Sequence, residues 1–153
     1  MKFVVDRMLG TLARWLRVLG YDTLYPGPST DLQLLQISRA QDRILITRDI
    51  KIAKRKDDKA FFINSDKLDE QLRQVIRELK VRVESELFTR CLECNSPLEE
   101  VSKEEVKGKV PAYVFAHHQD FKHCHKCDKY YWQGTHWERI TKKMEKFKSS
   151  EPR

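Results

Sequence analysis

Only five glycines and five prolines occur in 153 residues, too few for a collagen-like, mucin-like or low-complexity chain. Long apolar runs are absent as well. The longest stretch without a formal charge is Val110 to Gln119, about half of the roughly 20 residues that a membrane-spanning helix needs. An export signal is not expected, because the apolar run Phe3-Val4-Val5 is broken at once by Asp6 and Arg7. A cytoplasmic location without a membrane partner is therefore expected. In that reducing compartment four cysteines are expected to ligate metal rather than to pair as disulfides.

Charge is what the chain has in quantity. Charged residues make up 35% and hydrophobic ones 40%, a balance that still allows a globular core. The net charge is +7, with +4 carried by residues 1–88 and +3 by residues 89–153. A basic surface of this kind suits a polyanion such as nucleic acid, or serves solubility alone.

Along the chain, Phe3-Val4-Val5 reads as a first strand. Residues 7–19 read as a helix with Met8, Leu12, Trp15, Leu16 and Leu19 on one face and Arg7, Arg14 and Arg17 largely off it. Gly20 fits the position just past the helix end. Tyr21 to Tyr25 reads as a strand. Ser29 or Thr30 caps a second helix with Leu32, Leu35, Ile37 and Ala40 inward. Ile44 to Thr47 is apolar without alternation, as in a strand covered on both faces. Ala60 to Ile63 is another strand, and Ser65 or Asp66 caps a helix over 67–80. Strands and helices alternating at this spacing predict an α/β layer fold with a mostly parallel sheet. The pattern changes near residue 85. The expected division is 1–86, then 87–148, with 149–153 as a frayed tail.

Cys91-x-x-Cys94 and Cys124-x-x-Cys127 form two knuckles. Two thiolates three residues apart on a tight turn take half of a tetrahedral shell, and a second such turn completes it. One structural Zn²⁺ is expected. Four cysteine ligands leave no open position for water, so this zinc is not expected to be catalytic. His123 and His125 flank Cys124 and are expected outside the ligand shell.

Asp6 follows the first strand and Asp49 follows the Ile44–Thr47 strand after Arg48. If both strands are parallel, the two carboxylates share the carboxyl edge of the sheet, where open α/β sheets bind ligands. Asp31 begins the helix between those strands. Three converging carboxylates call for a hard dication, Mg²⁺ or Mn²⁺, which can activate water for phosphodiester hydrolysis. Each acid also has an ordinary alternative: Asp31 as a favourable helix-start charge, Asp49 as an N-cap, Asp6 as a partner of Arg7 or Arg48.

Phe3-Val4-Val5-Asp6, Leu12-Ala13-Arg14-Trp15-Leu16-Arg17, Leu19-Gly20-Tyr21-Asp22 and Arg43-Ile44-Leu45-Ile46-Thr47-Arg48-Asp49 together resemble one family. It is the PIN-like ribonuclease domain with an appended zinc ribbon, named after the C-terminal domain of the worm Mut-seven exonuclease. The ribbon half fits as well, in Arg90-Cys91-x-x-Cys94-Asn95, Cys124-x-x-Cys127 and Tyr131-Trp132-Gln133-Gly134-Thr135-His136. The resemblance covers about residues 2–140. It implies a PIN-like three-layer α/β fold with a mostly parallel sheet followed by a small zinc ribbon. It also implies a metal-dependent ribonuclease centre at Asp6, Asp31 and Asp49, with no confident match for a fourth acid.

Arg7 and Arg48 beside the acids, and Lys51, Lys54, Arg55 and Lys56 after them, are candidate phosphate contacts; they serve equally as charge balance or a solvated face. His136 is a further candidate RNA contact beside the second knuckle. Thr47 either hydrogen-bonds a carboxylate or fills a strand position. The partner expected is RNA, single-stranded or structured, with tRNA and rRNA among the possibilities. A non-catalytic RNA-binding adaptor associated with tRNA or ribosomes is the alternative reading.

Overall fold

The computed structural model describes residues 1–56, 58–83 and 87–152. Its first part is a four-stranded, wholly parallel sheet in the order β2-β1-β3-β4. The strands are β1 (Lys2–Val5), β2 (Asp22–Leu24), β3 (Ile44–Thr47) and β4 (Ala60–Phe62). The connecting helices are α1 (Gly10–Val18), α2 (Asp31–Gln41), the single turn α3 (Ile50–Ala53) and α4 (Leu68–Glu78). The pleat sorts the strand side chains into two layers. Phe3, Val5 and Ile46 join α1 and α4 in the larger core, whereas Val4 and Leu45 pack with Leu34 and Leu35 of α2 and Ile52 of α3. Both faces of β1 and β3 are therefore covered, which explains their unbroken apolar character.

Gly20 ends α1. Its N–H donates to the Arg17 carbonyl, and the Tyr21 N–H donates to the Leu16 carbonyl, the paired bonds of a Schellman stop. The φ of +87° there favours glycine, and a Cβ would meet Thr89 Oγ1 at 2.9 Å. At the start of α2, Thr30 Oγ1 accepts the Gln33 N–H while Gln33 Oε1 accepts the Thr30 N–H, a complete capping box.

The helix faces differ from expectation at Met8, Leu32, Ala40 and Arg17. Met8 and Leu32 are exposed, whereas Leu9 and Leu34 are buried. A 3-10 turn over Arg7–Leu9 precedes α1, and its three residues per turn shift the phase read from an α-helix. Ala40 is also exposed, its expected place inside α2 being taken by Ser38, whose hydroxyl donates to the Arg43 carbonyl. Arg17 is buried rather than solvated.

The second part is an antiparallel sheet in the order β5-β6-β7, with β5 at Glu99–Val101, β6 at Phe121–Cys124 and β7 at Lys129–Trp132. A short helix α5 (Ala112–His117) lies between β5 and β6, and α6 (Thr135–Glu145) follows β7. The expected boundary at residue 86 lies outside the described residues. The larger core runs through both parts: Leu12, Leu16, Leu72 and Ile76 share it with Phe88, Leu92, Ile140, Met144 and Phe147. Residues Lys148–Ser150 form a 3-10 turn, and Glu151 accepts the Val83 N–H. No helix among the described residues is long and apolar enough to cross a membrane.

Candidate active site and metal centre

The register pairs Val5 with Ile46, so the next residues along, Asp6 and Thr47, are neighbours at the carboxyl edge. The Asp6 N–H extends the ladder to the Ile46 carbonyl at 3.0 Å. This edge is also where the strand order reverses: the chain goes from β1 to β2 on one side and then to β3 on the other, the position at which open α/β sheets place ligands.

Asp6 is 7% exposed. Its Oδ1 accepts the Arg7 N–H at 2.6 Å, and its Oδ2 accepts the Thr47 hydroxyl at 2.8 Å. Two bonds leave about half the acceptor capacity of a carboxylate. The buried Thr47 Oγ1 in turn accepts the Asp49 N–H at 2.9 Å. Asp49 caps α3 through Oδ1, which accepts the Lys51 N–H at 2.8 Å. Among the described residues its Oδ2 has no hydrogen-bond partner. One buried threonine thus joins the two acids of adjacent strands. Asp31 is exposed at the start of α2, and no hydrogen bond or common partner links it to Asp6 or Asp49 among the described residues.

The basic residues divide. The Arg48 guanidinium donates to the Ile63 carbonyl at 3.2 Å, and Arg55 pairs with Asp58 at 3.0 Å. Arg7, Lys51, Lys54 and Lys56 are exposed. His136 is also exposed, but on a groove beside the ribbon.

The cysteine cluster is built by two similar turns. Asn95 and Asp128, each following the second cysteine of its knuckle, have φ of +70° and +51°, a region that Asn and Asp tolerate better than other side chains with a Cβ. The four Sγ atoms lie within 4.8 Å of one another, and those of Cys94 and Cys124 are 3.4 Å apart. A tetrahedron of ~2.3 Å Zn–S bonds separates its sulfurs by about 3.8 Å, so the set fits a Cys₄ zinc. Among the described residues this is the only group of three or more His, Cys, Asp and Glu side chains gathered for a metal ion. The thiols diverge in acidity. Burial opposes ionisation of Cys94, but hydrogen bonds from Ser96, Cys124 and Cys127 bring it down to about 6. Its hydrogen bond with Cys94, together with burial and the nearness of Cys91, pushes Cys127 up to about 12. Converging thiols resist a second negative charge, and a dication removes that resistance. His123 and His125 stay outside the set, engaging Asp128 at 2.8 Å and Glu99 at 2.6 Å.

A polar network that the pattern of acids and cysteines did not reveal ties the first knuckle to the amino edge of the parallel sheet. Buried Arg17 donates to the carbonyls of Thr23 (3.0 Å), Leu92 (2.8 Å) and Glu93 (3.1 Å). The Asn95 side chain accepts the Thr23 N–H at 2.8 Å and donates to Asp22 Oδ1 at 2.7 Å. Arg43 donates to the same Asp22 oxygen at 2.8 Å and to the Phe3 carbonyl at 3.2 Å. The signal available in the sequence was the recurrence of these residues inside the quoted motifs. The first knuckle is thus fixed at the edge opposite Asp6 and Asp49.

No curated protein and no solved structure gives a significant match. The family model described as the Mut7-C RNAse domain matches residues 1–144. With its parallel α/β sheet, its acids at the switch point and its cysteine centre, the chain belongs to the Mut7-C RNAse domain family, which suggests a ribonuclease-type function.

Proposed function

We propose that the protein is a cytoplasmic, metal-dependent ribonuclease that cuts RNA endonucleolytically at the carboxyl edge of the parallel sheet, with the ribbon helping to hold the RNA. The observation that carries this reading is the Thr47 link between Asp6 and Asp49 at the topological switch point. Their carboxylate oxygens, with Asp31 as third candidate donor, fit a hard dication such as Mg²⁺ or Mn²⁺. Such an ion supplies Lewis acidity and an activated water. Asp6, held by Thr47 and the Arg7 N–H, is the rigid member of the set; Asp49 is fixed by its cap on α3. Arg7, Lys51, Lys54 and Lys56 hold RNA phosphates around the edge, without sequence preference. Among the described residues the open edge shows no device for gripping a strand end, which favours internal cutting.

One observation favours a second reading, a non-catalytic RNA-binding adaptor. The only ligand set already gathered among the described residues is made of sulfur, not of these acids. The test is cleavage of a panel of labelled RNAs, single-stranded and structured, tRNA and rRNA fragments included. Zinc-loaded protein is compared with and without added Mn²⁺ or Mg²⁺, and with a folded Asp6→Asn/Asp49→Asn variant. Metal-dependent cutting that the variant lacks is expected. Equal RNA binding by both proteins without cutting overturns the catalytic reading in favour of the adaptor.

A further inference from the structure

A groove of about 740 Å³ is lined by residues of the ribbon part, with Arg14 as the one contribution from α1; its volume is within the size range of small-ligand sites. Its walls are rich in planar groups, including Tyr113, Trp132, His136 and Trp137. Tyr113 is 68% exposed, a large ring left open to solvent at the margin. The Tyr131 ring is held by its hydroxyl, which bonds Cys91 Sγ at 3.2 Å and accepts the Leu92 N–H at 3.3 Å. The metal knuckle therefore stiffens one wall.

The charge of the groove argues against a phosphate inside it. Arg14 and Lys122 are balanced by Glu100 and Asp120. Arg14 is further neutralised by Glu93 at 3.1 Å, and the Lys122 ammonium is turned to the Phe88 carbonyl at 3.2 Å. Aromatic walls with amide and carboxylate groups suit a flat, uncharged ring whose edge carries donors and acceptors.

We propose that this groove binds an unpaired nucleobase of RNA, as a site separate from the acid edge. The proposal rests on the reading that RNA is the ligand. The groove stands on the ribbon side, and the first knuckle is fixed at the amino edge; the acids lie beyond the other end of β1. Four strand residues span about 13 Å. Base capture and phosphodiester chemistry are thus spatially distinct, and an RNA engages both only if it is long enough to reach from one to the other.

The test uses the full zinc-loaded chain without added Mg²⁺ or Mn²⁺, so that cutting does not intervene. Binding of a decamer of adenylate is compared, at one fixed salt concentration, with binding of a ten-unit ribose-phosphate chain that lacks bases. The adenylate decamer is expected to bind at least about 10-fold tighter, the scale of one stacked base. Tyr113→Ala and His136→Ala, both at exposed positions, are expected to remove most of that difference while leaving the abasic chain unaffected. Lys54→Ala is expected to weaken both ligands alike. Equal binding of the two ligands by the native protein overturns the proposal, as does an equal loss for both in the groove variants. If neither ligand binds, the RNA reading fails with it. Base-dependent binding by a protein that never cleaves supports the groove and removes only the catalytic reading.

Discussion

The hydroxyl of Thr47 donates to Asp6 over 2.8 Å while accepting the N–H of Asp49. Thr47→Val keeps the volume but removes both bonds and leaves the Asp49 N–H unpaired, at a cost of about 1–3 kcal/mol. Under the proposed function, Mn²⁺-dependent cleavage falls about 10- to 100-fold, as when a metal ligand loses its supporting bond. Thr47→Ser restores most of it. Cleavage rate against Mn²⁺ concentration, measured beside urea unfolding, checks this. An undiminished rate in folded Thr47→Val removes the threonine from the site.

Arg17 is the main polar tie between α1 and the first knuckle. Arg17→Met fills similar space but strands the carbonyls of Thr23, Leu92 and Glu93. We expect a loss of about 2–4 kcal/mol, read as a lower urea midpoint. Gly20→Ala is expected to cost about 1–2 kcal/mol, from its positive φ and the approach of Thr89. Unchanged midpoints in both variants would show that the ribbon is not held at this edge.

Asp22 gives the tie a pH signature. Burial would raise its pKa, but hydrogen bonds from Arg43 and Asn95 and the charges of Arg43 and Arg90 outweigh this and hold it below the usual carboxylate range. A depressed folded value means that the stabilisation is present above the unfolded value of about 3.9. It is lost as pH falls through the folded value. Asp22→Asn is therefore expected to lower Tm by about 3 °C at pH 7, with the gap between the two proteins narrowing as the pH falls through the folded value. Melts over a series of pH values from 7 downward measure it; a gap that stays constant as the pH falls contradicts the ionic origin.

One zinc per chain is expected, bound by Cys91, Cys94, Cys124 and Cys127. Cys94→Ser is expected to lose stoichiometric zinc, and chelation to lower Tm of the whole chain in a single transition, because Leu92 and Phe88 share the core of α1 and α4. Zinc stoichiometry by a colorimetric indicator and calorimetric melts test both points. Two separate transitions would mean that the parts melt independently.

Local rules made several elements readable. β1 and β3 showed as apolar runs, Gly20 as a helix stop, and the Thr30 cap and the paired cysteines by residue type and spacing. Met8 misled because helical periodicity cannot register a 3-10 turn before α1; in α2 the inward face is carried by Leu34 and Leu35 and not by Leu32. At the candidate site, parallel strands after β1 and β3 were enough to bring Asp6 and Asp49 to one edge. Asp31 was not resolved in the same way, because a helix start is placed by the 25–30 loop and not by strand register. The Arg17, Asp22, Arg43 and Asn95 tie spans up to 76 residues of sequence, and no local pattern shows which carbonyl a buried arginine will meet.

The shared core has a consequence for synthesis on the ribosome. The face of α1 and α4 is completed by Ile140, Met144 and Phe147, which emerge about 70 residues after α4 ends. At about 5–20 residues per second this takes roughly 4–14 s. Through that interval the part of the α1 and α4 face that Ile140, Met144 and Phe147 will cover stays open, so the parallel sheet completes its core only when α6 has been made.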